Sequence, residues 1–575
     1  MRFFRIAKPI SLRRLSLSLV VLLAIATQSF SQALQSEKPH SETVRGTVIN
    51  GVTQAPIPRA LVVASDDRAG VLTDGEGHFE ITVPATESGS AVGGIMVSGG
   101  QSRRPWPYAR HGNAYWFDAR KPGFLDDPDG RAHVAPSSGD DLTIALIPEA
   151  IIKGRITLAS GDTPLGVMVQ LFSRQVREGL PRWIPSSTER ANSAGEFRFA
   201  ELEPGSYRLV TQEYMDNDPL TNVPGSQLYG FPPVYYPSGS DFSAASTIEL
   251  IAGQEFQADI SLARQPYYPV KIPVAGTETT GGLNISVQGQ HGPGYRLGQN
   301  AAQQTIVGLL PNGIYVVEAS TFGQNSVSGS VSIRVHGAAV DGPALILVPK
   351  SSVSLEVREE FTDTSWNSAA SWNDGRHTFS LHGPRTYLQA TVESADDLEQ
   401  PRFGTIRPPT GSNDDSLVIE DLSPGRYWLR LHTSRGYIAS ATQGSTDLLR
   451  QPLTIGSSTA TPIEVRVRDD VAELDGTVAT LAVQPAPGDG SADAATVWVY
   501  LVPLPGGSGE FTGLTVSSGS EFTSPRIAPG DYRVLAFSTA QPRLPYRDAE
   551  AMKAYESKGP VVHLAGGQKT TVQVE

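Results

Sequence analysis

Four short phrases of proline, glycine and tyrosine constrain this chain more than any other feature. Glu203-Pro204-Gly205-Ser206-Tyr207, Pro311-Asn312-Gly313-Ile314-Tyr315, Ser423-Pro424-Gly425-Arg426-Tyr427 and Ala528-Pro529-Gly530-Asp531-Tyr532 recur just over a hundred residues apart. Proline presets the first angle of a turn and glycine accepts a positive one. After the turn, Tyr207-Arg208-Leu209-Val210 and Tyr427-Trp428-Leu429-Arg430-Leu431 place alternate side chains on one face, as a half-buried strand does. Each phrase therefore predicts a tight turn feeding a strand. The 57 glycines and 43 prolines among 575 residues punctuate the chain too often for long helices. A period this long also describes a string of domains, not a solenoid of short repeats.

A second phrase closes each unit: Leu142-Thr143-Ile144-Ala145-Leu146, Ala258-Asp259-Ile260-Ser261-Leu262, Ala344-Leu345-Ile346-Leu347-Val348, Ile463-Glu464-Val465-Arg466-Val467 and Thr570-Thr571-Val572-Gln573-Val574. Opening strands with a glycine are predicted at Val44-Arg45-Gly46-Thr47-Val48, Ile152-Lys153-Gly154-Arg155-Ile156 and Leu474-Asp475-Gly476-Thr477-Val478, and one without at Val353-Ser354-Leu355-Glu356-Val357. The expected layout is a signal peptide at 1–31, a linker at 32–41, and sandwiches at 42–148, 149–264, 265–350, 351–468 and 469–575. Each is close to the ~100 residues of a β-sandwich domain. Boundaries are expected near Glu149, Gln265, Ser351 and Asp469, each just past a closing strand. Only 548–557 reads as a helix, with Asp548 as its cap and Gly559 as its stop.

The first unit carries a recognisable pattern. Arg45-Gly46-Thr47-Val48-Ile49 leads to Pro56-Ile57-Pro58-Arg59-Ala60-Leu61-Val62-Val63, then to Leu72-Thr73-Asp74-Gly75-Glu76-Gly77-His78-Phe79, and later to Lys121-Pro122-Gly123-Phe124. This resembles the carboxypeptidase regulatory-like domain. The second unit repeats it loosely, with Lys153-Gly154-Arg155-Ile156 and Ser193-Ala194-Gly195-Glu196-Phe197 but no Thr-Asp pair. Units three to five keep the tyrosine and closing-strand phrases. The resemblance implies immunoglobulin-like or prealbumin-like antiparallel β-sandwiches in tandem, an all-β fold, related to starch-binding-like and collagen-adhesin B-type modules. It also implies a non-catalytic module.

Compartment follows from the ends and the composition. Arg2, Arg5, Lys8, Arg13 and Arg14 precede the apolar run Leu15–Ala26, and Ser29-Phe30-Ser31 supplies small residues before Gln32. These are the parts of a secretory signal, with a retained anchor as the alternative. The net charge of −13 repels nucleic-acid phosphates. With no cysteine, disulfides, thiol catalysis and Cys-ligated zinc drop out together. An extracytoplasmic protein is expected: periplasmic, on the outer-membrane surface or secreted, with no transmembrane span once the signal is removed.

Catalytic motifs are missing. No histidine has glutamate three residues on, so the zinc pair of a metallocarboxypeptidase is absent, as are a Gly-x-Ser-x-Gly elbow and a phosphate-binding loop. No cofactor, catalytic residue or metal ligand is expected. Asp74 and Glu76 with Asp66 and Asp67 nearby suggest either calcium ligands or a capped hairpin turn. The collagen-adhesin resemblance raises a Lys153–Asp259 isopeptide bond, but the helper acid expected four residues after Tyr207 is Thr211. Trp106, Tyr108, Trp366 and Trp372 lie outside obvious strands; flat aromatic faces suit sugars and protein contacts, or cover the ends of a sandwich. Tyr207, Tyr315, Tyr427 and Tyr532 are expected to be structural, since repetition in otherwise dissimilar units suggests a task that every sandwich shares.

The function this supports first is a non-catalytic scaffold or binding module of the cell envelope or exterior, contacting an envelope or extracellular protein or glycan. The second is a carbohydrate-binding protein that uses the loop aromatics. The third is a hydrolase with a site between domains.

Overall fold

The computed structural model describes residues 41–574, apart from 65–68, 85–115, 126–132, 135–140, 159–165, 217–222, 224, 277–281, 290–291, 322–325, 363–368, 374–377, 385–387, 396–402, 408–415, 434, 457–460, 480–495, 505–508, 518, 539 and 542. Trp106, Tyr108, Trp366, residues 1–31 (where a signal peptide is expected) and the Asp66-Asp67 pair lie outside the described residues. Among the described residues no helix is long and apolar enough to cross a membrane.

The fold is all-β. Five main apolar cores follow one another along the chain, spanning residues 44–146, 150–262, 270–347, 353–467 and 472–574. They fill from alternating strand positions: Leu142–Leu146 buries Leu142, Ile144 and Leu146, and Ile463–Arg468 buries Ile463, Val465 and Val467. We call these bodies modules one to five.

One plan recurs. In the first module Ser41–Asn50 runs antiparallel to His78–Pro84 and parallel to Leu142–Leu146. The opening strand likewise lies parallel to the closing strand in the second (Ala150–Leu158 with Ile260–Leu262), third (Gln265–Gly276 with Leu345–Pro349), fourth (Ser351–Glu360 with Ile463–Arg468) and fifth modules (Glu473–Val478 with Lys569–Val574). The expectation of antiparallel sandwiches therefore holds apart from parallel pairings onto the opening strands, made by the closing strand in every module and also by Glu255–Gln257 in the second and Val340–Asp341 in the third. A second sheet, containing the tyrosine strand in modules two, four and five, packs over the first.

The third module departs from two separate sheets. Val327–Val335 pairs with both Gly313–Ser320 and Leu345–Pro349, which joins its strands into one eleven-stranded sheet. That sheet also takes in the hairpin Tyr214–Met215 and Leu228–Phe231, which lies before Gln265 in the chain and pairs with the strand Gln265–Gly276. The helical segment is shorter than expected: an α-turn at Ala549–Met552 capped by Asp548, then a 3-10 turn at Lys553–Tyr555, with Gly559 at φ 68°.

By compactness the chain divides into two units, Met1–Pro148 and Glu149–Glu575. The first module stands in one unit and modules two to five in the other.

Candidate functional site: repeated closures and an inter-module hairpin

The four phrase tyrosines share one geometry. Tyr207, Tyr315, Tyr427 and Tyr532 are 6%, 2%, 2% and 0% exposed. Each hydroxyl donates to the backbone carbonyl four residues earlier: Glu203 at 2.7 Å, Pro311 at 2.9 Å, Ser423 at 2.8 Å and Ala528 at 2.7 Å. Strand register repeats too. Tyr207, Tyr315, Tyr427 and Tyr532 stand opposite Ile248, Ile333, Leu453 and Val562, with the glycine two residues earlier opposite Leu250, Val335, Ile455 and Leu564. A buried ring with its hydroxyl turned back onto the incoming chain closes one end of the core, as a tyrosine corner does. Burial pushes the Tyr207 hydroxyl up to about 12, and those of Tyr315 and Tyr532 upward as well, so these groups remain proton donors. Gly205, Gly425 and Gly530 have φ of 157°, 157° and 148°, whereas Gly313 in the longer Pro-Asn-Gly phrase has no positive φ.

Modules one, two and five share a second closure. Gly46, Gly154 and Gly476 on the opening strands stand opposite Phe79, Phe197 and Phe522. A Cβ on these glycines would come within 2.6, 2.7 and 2.2 Å of the phenylalanine rings. On Gly46 and Gly154 it would also meet the Leu142 and Ala258 carbonyl oxygens at 2.1 and 2.0 Å. The ring lies where a side chain would otherwise stand, which explains the glycine in these strands.

The Thr73-Asp74 segment serves this closure. Thr73 is buried; its hydroxyl donates to the Ile57 carbonyl at 2.7 Å and accepts from the Ala60 N–H at 2.8 Å. Asp74 Oδ1 accepts from the Glu76 and His78 N–H groups at 3.0 and 2.8 Å, and Gly77 takes φ 79°. Asn192 does the same in the second module, accepting from Ala194 and Glu196 at 2.9 Å each, with Gly195 at φ 77°. The hairpin alternative thus accounts for Asp74. Among the described residues no three His, Cys, Asp or Glu gather as metal ligands.

Lys153 and Asp259 are not joined. Lys153 pairs with Glu255 at the surface, while Asp259 accepts from the Arg155 N–H at 2.9 Å and the Gln257 amide at 2.6 Å. Thr211, where a helper acid would stand, is buried and accepts from the Val234 N–H at 2.9 Å. Of the candidate aromatics, Trp372 lies in the strand Ala369–Asn373 opposite Phe379, not in a loop.

A feature that the sequence did not announce joins modules two, four and five. The long strands Met168–Arg177 and Leu180–Arg190 of the second module meet at Glu178-Gly179, with φ of 50° and 76°. Arg430 of the fourth module pairs with Glu178 and with its own Glu393, the latter at 2.8 Å, and Glu393 also faces Arg177 at 3.9 Å. Arg182 donates to the Ser394 carbonyl at 3.2 Å and lies 5.9 Å from the Trp428 ring centre. From the fifth module, the Arg547 N–H donates to the Gly179 carbonyl at 2.9 Å. The Tyr546 ring lies against Gly179, leaving no room for a Cβ. Tyr546 in turn stacks on Phe511 at 4.4 Å, and Arg543 pairs with Glu203 at 2.5 Å. The hairpin tip is therefore held from both later modules.

No family model matches the chain, and no curated protein matches it. Solved structures similar to it include a Streptococcal ancillary pilin (12% identity, 53% of this chain and 99% of that one, TM-score 0.16). The Bacillus anthracis TIE protein is 11% identical over 73% of each chain, with a TM-score of 0.14. BcpA, the major pilin subunit of Bacillus cereus, is 8% identical over 56% of this chain and 99% of that one, with a TM-score of 0.13. Likeness at that level carries no argument about fold or function.

Proposed function

We propose that this chain is an exported, non-catalytic scaffold or binding module that works at the cell envelope or outside it. Its five modules have the boundaries given above, and the first two are regulatory-like domains. The observation that supports this reading most is the hairpin at Glu178-Gly179, because it fixes three sandwiches against one another through an ion pair, a backbone hydrogen bond and the Tyr546 ring packed on Gly179. A rigid body of that kind suits the presentation of loops, and loops are where sandwich proteins carry contacts. The repeated tyrosines, glycines and phenylalanines are structural. Partners are an envelope or extracellular protein or a glycan.

The test is a pull-down from envelope extract with the chain starting at Gln32. Saturable capture of one envelope component supports the scaffold, whereas hydrolysis of peptide or glycan by the pure protein would replace it with an enzyme. Binding on a glycan array that disappears with Trp106→Ala or Trp366→Ala would favour the carbohydrate-binding reading.

A further inference from the structure

The junction of the second and third modules encloses a group of oxygen-bearing side chains that the scaffold does not require. Glu213 follows the tyrosine strand Gly205–Thr211 by two residues. Its N–H donates to the Gly294 carbonyl at 3.1 Å, and its Oε2 accepts from the Arg296 N–H at 3.2 Å. The Arg296 guanidinium goes instead to the Gln212 side chain. Glu213 Oε1 is buried and has no hydrogen-bond partner.

Three tyrosines feel the charge of this carboxyl, Tyr267, Tyr295 and Tyr315, and Tyr235 in turn lies near Tyr295. Tyr267 comes from the opening strand of the third module, Tyr295 and Tyr315 from its other strands, and Tyr235 from a loop of the second. Tyr235 and Tyr267 are only 2% and 1% exposed, and neither hydroxyl has a partner. Tyr267 lies near enough to Glu213 to feel its charge and to favour the charged carboxylate. Tyr315 is committed to the Pro311 carbonyl and meets Tyr295 edge to face at 5.0 Å. Asp216, three residues on, is paired with Arg264 at 2.8 Å, and Asp241 lies near Tyr235.

The same place is where the modules are sewn together. Leu228–Phe231 pairs with Gln265–Gly276, setting Leu228 opposite Tyr267, and Gly294 packs so closely on Pro233 that a Cβ would come within 2.8 Å. An orphaned buried oxygen demands a reason. Burial pushes the Glu213 carboxyl up to about 7; the Arg296 N–H, Tyr267 and the Arg296 charge pull the other way and do not offset it.

We propose that Glu213 is a proton-operated latch: its carboxylic acid form holds modules two and three together, and its carboxylate form loosens their junction. The neutral acid needs no countercharge and can donate to a neighbouring oxygen; the carboxylate is a buried charge that Arg296 and Tyr267 only partly offset. A carboxyl raised in the folded state favours that state in acid. Its contribution is lost as pH rises from the ordinary carboxyl range through about 7, and stays lost above it.

The test is hydrogen exchange on the full chain, comparing the parent with Glu213→Gln at matched pH so that intrinsic rates cancel. In peptides covering Leu228–Phe231 and Gln265–Gly276, the parent-to-variant rate ratio is expected near unity at about pH 5 and roughly tenfold or more at about pH 8. A ratio that ignores pH, or that rises equally in fourth-module peptides, overturns the latch. Infrared absorption of the parent provides a second reading. A protonated carboxyl band is expected to survive above about pH 6 and to titrate higher in Tyr267→Phe, which removes a neighbour favouring the charged form. Loss of all such absorption below that pH, or an unmoved titration in Tyr267→Phe, overturns the proposal even if Glu213→Gln fails to fold.

Discussion

The first and fourth modules close the same sandwich with different side chains. In the first, Gly46 on the opening strand sits beneath Phe79 and next to Leu142 of the closing strand. In the fourth, Leu355 stands at the corresponding place, opposite Leu417 and beside Ile463. Two medium side chains replace one large and one absent, which preserves volume across the layer. The fourth module adds Tyr427, whose hydroxyl ties the turn at Ser423; the second and fifth modules carry both closures. The parallel pairing of opening with closing strands, common to all five, therefore requires neither device by itself. What must be supplied is a filled end to the core.

That contrast breaks most easily at its largest side chain. Phe79→Ala should cost the first module about 3–5 kcal/mol, the range for deleting a large buried aromatic, because its buried ring fills the space over Gly46. Calorimetry of the full chain should show an early transition from residues before Glu149, with the remainder unmoved. Gly46→Ala should cost about 1–3 kcal/mol, since its Cβ would meet a backbone oxygen that cannot swing aside.

The fourth module is also gripped from outside, at Arg430. Arg430→Ala should cost about 1–2 kcal/mol, and the loss should shrink in high salt, since the pairs with Glu178 and Glu393 are only partly shielded from water. Denaturant melts at two salt concentrations would measure it. Tyr532→Phe should cost about 1 kcal/mol, the net worth of one hydrogen bond. Asp74→Asn, which installs the residue that the second module uses at this turn, should stay within about 0.5 kcal/mol by the same melts.

Much of this architecture was legible because backbone-limited residues carry it. The tyrosine turns repeat in modules two to five and the alternating closing strands in all five, because a turn angle and a buried face recur there at the same place. Phe522 escaped notice since Gly519-Ser520-Glu521-Phe522 is one residue longer than Gly77-His78-Phe79, although the register onto the opening glycine is the same. Asn192 escaped because an amide oxygen caps a turn as well as a carboxylate does, without spelling Thr-Asp. The inter-module hairpin was illegible for a different reason. Arg177-Glu178-Gly179-Leu180 reads as a polar turn, and its partners Arg430 and Arg547 lie hundreds of residues away. Glu213 likewise looks like any surface acid until Tyr267 and Tyr295 gather around it.

Thermal melting of Tyr427→Ala in the full chain tests most directly the proposal that the repeated tyrosines are structural and hold the sandwiches closed. A buried ring whose hydroxyl ties Ser423 predicts a loss of about 3–5 kcal/mol, with hydrogen exchange accelerated first in Gly425–Thr433 and its neighbour Leu453–Ile455. A variant that melts like its parent would contradict the account and return these tyrosines to the candidates for binding.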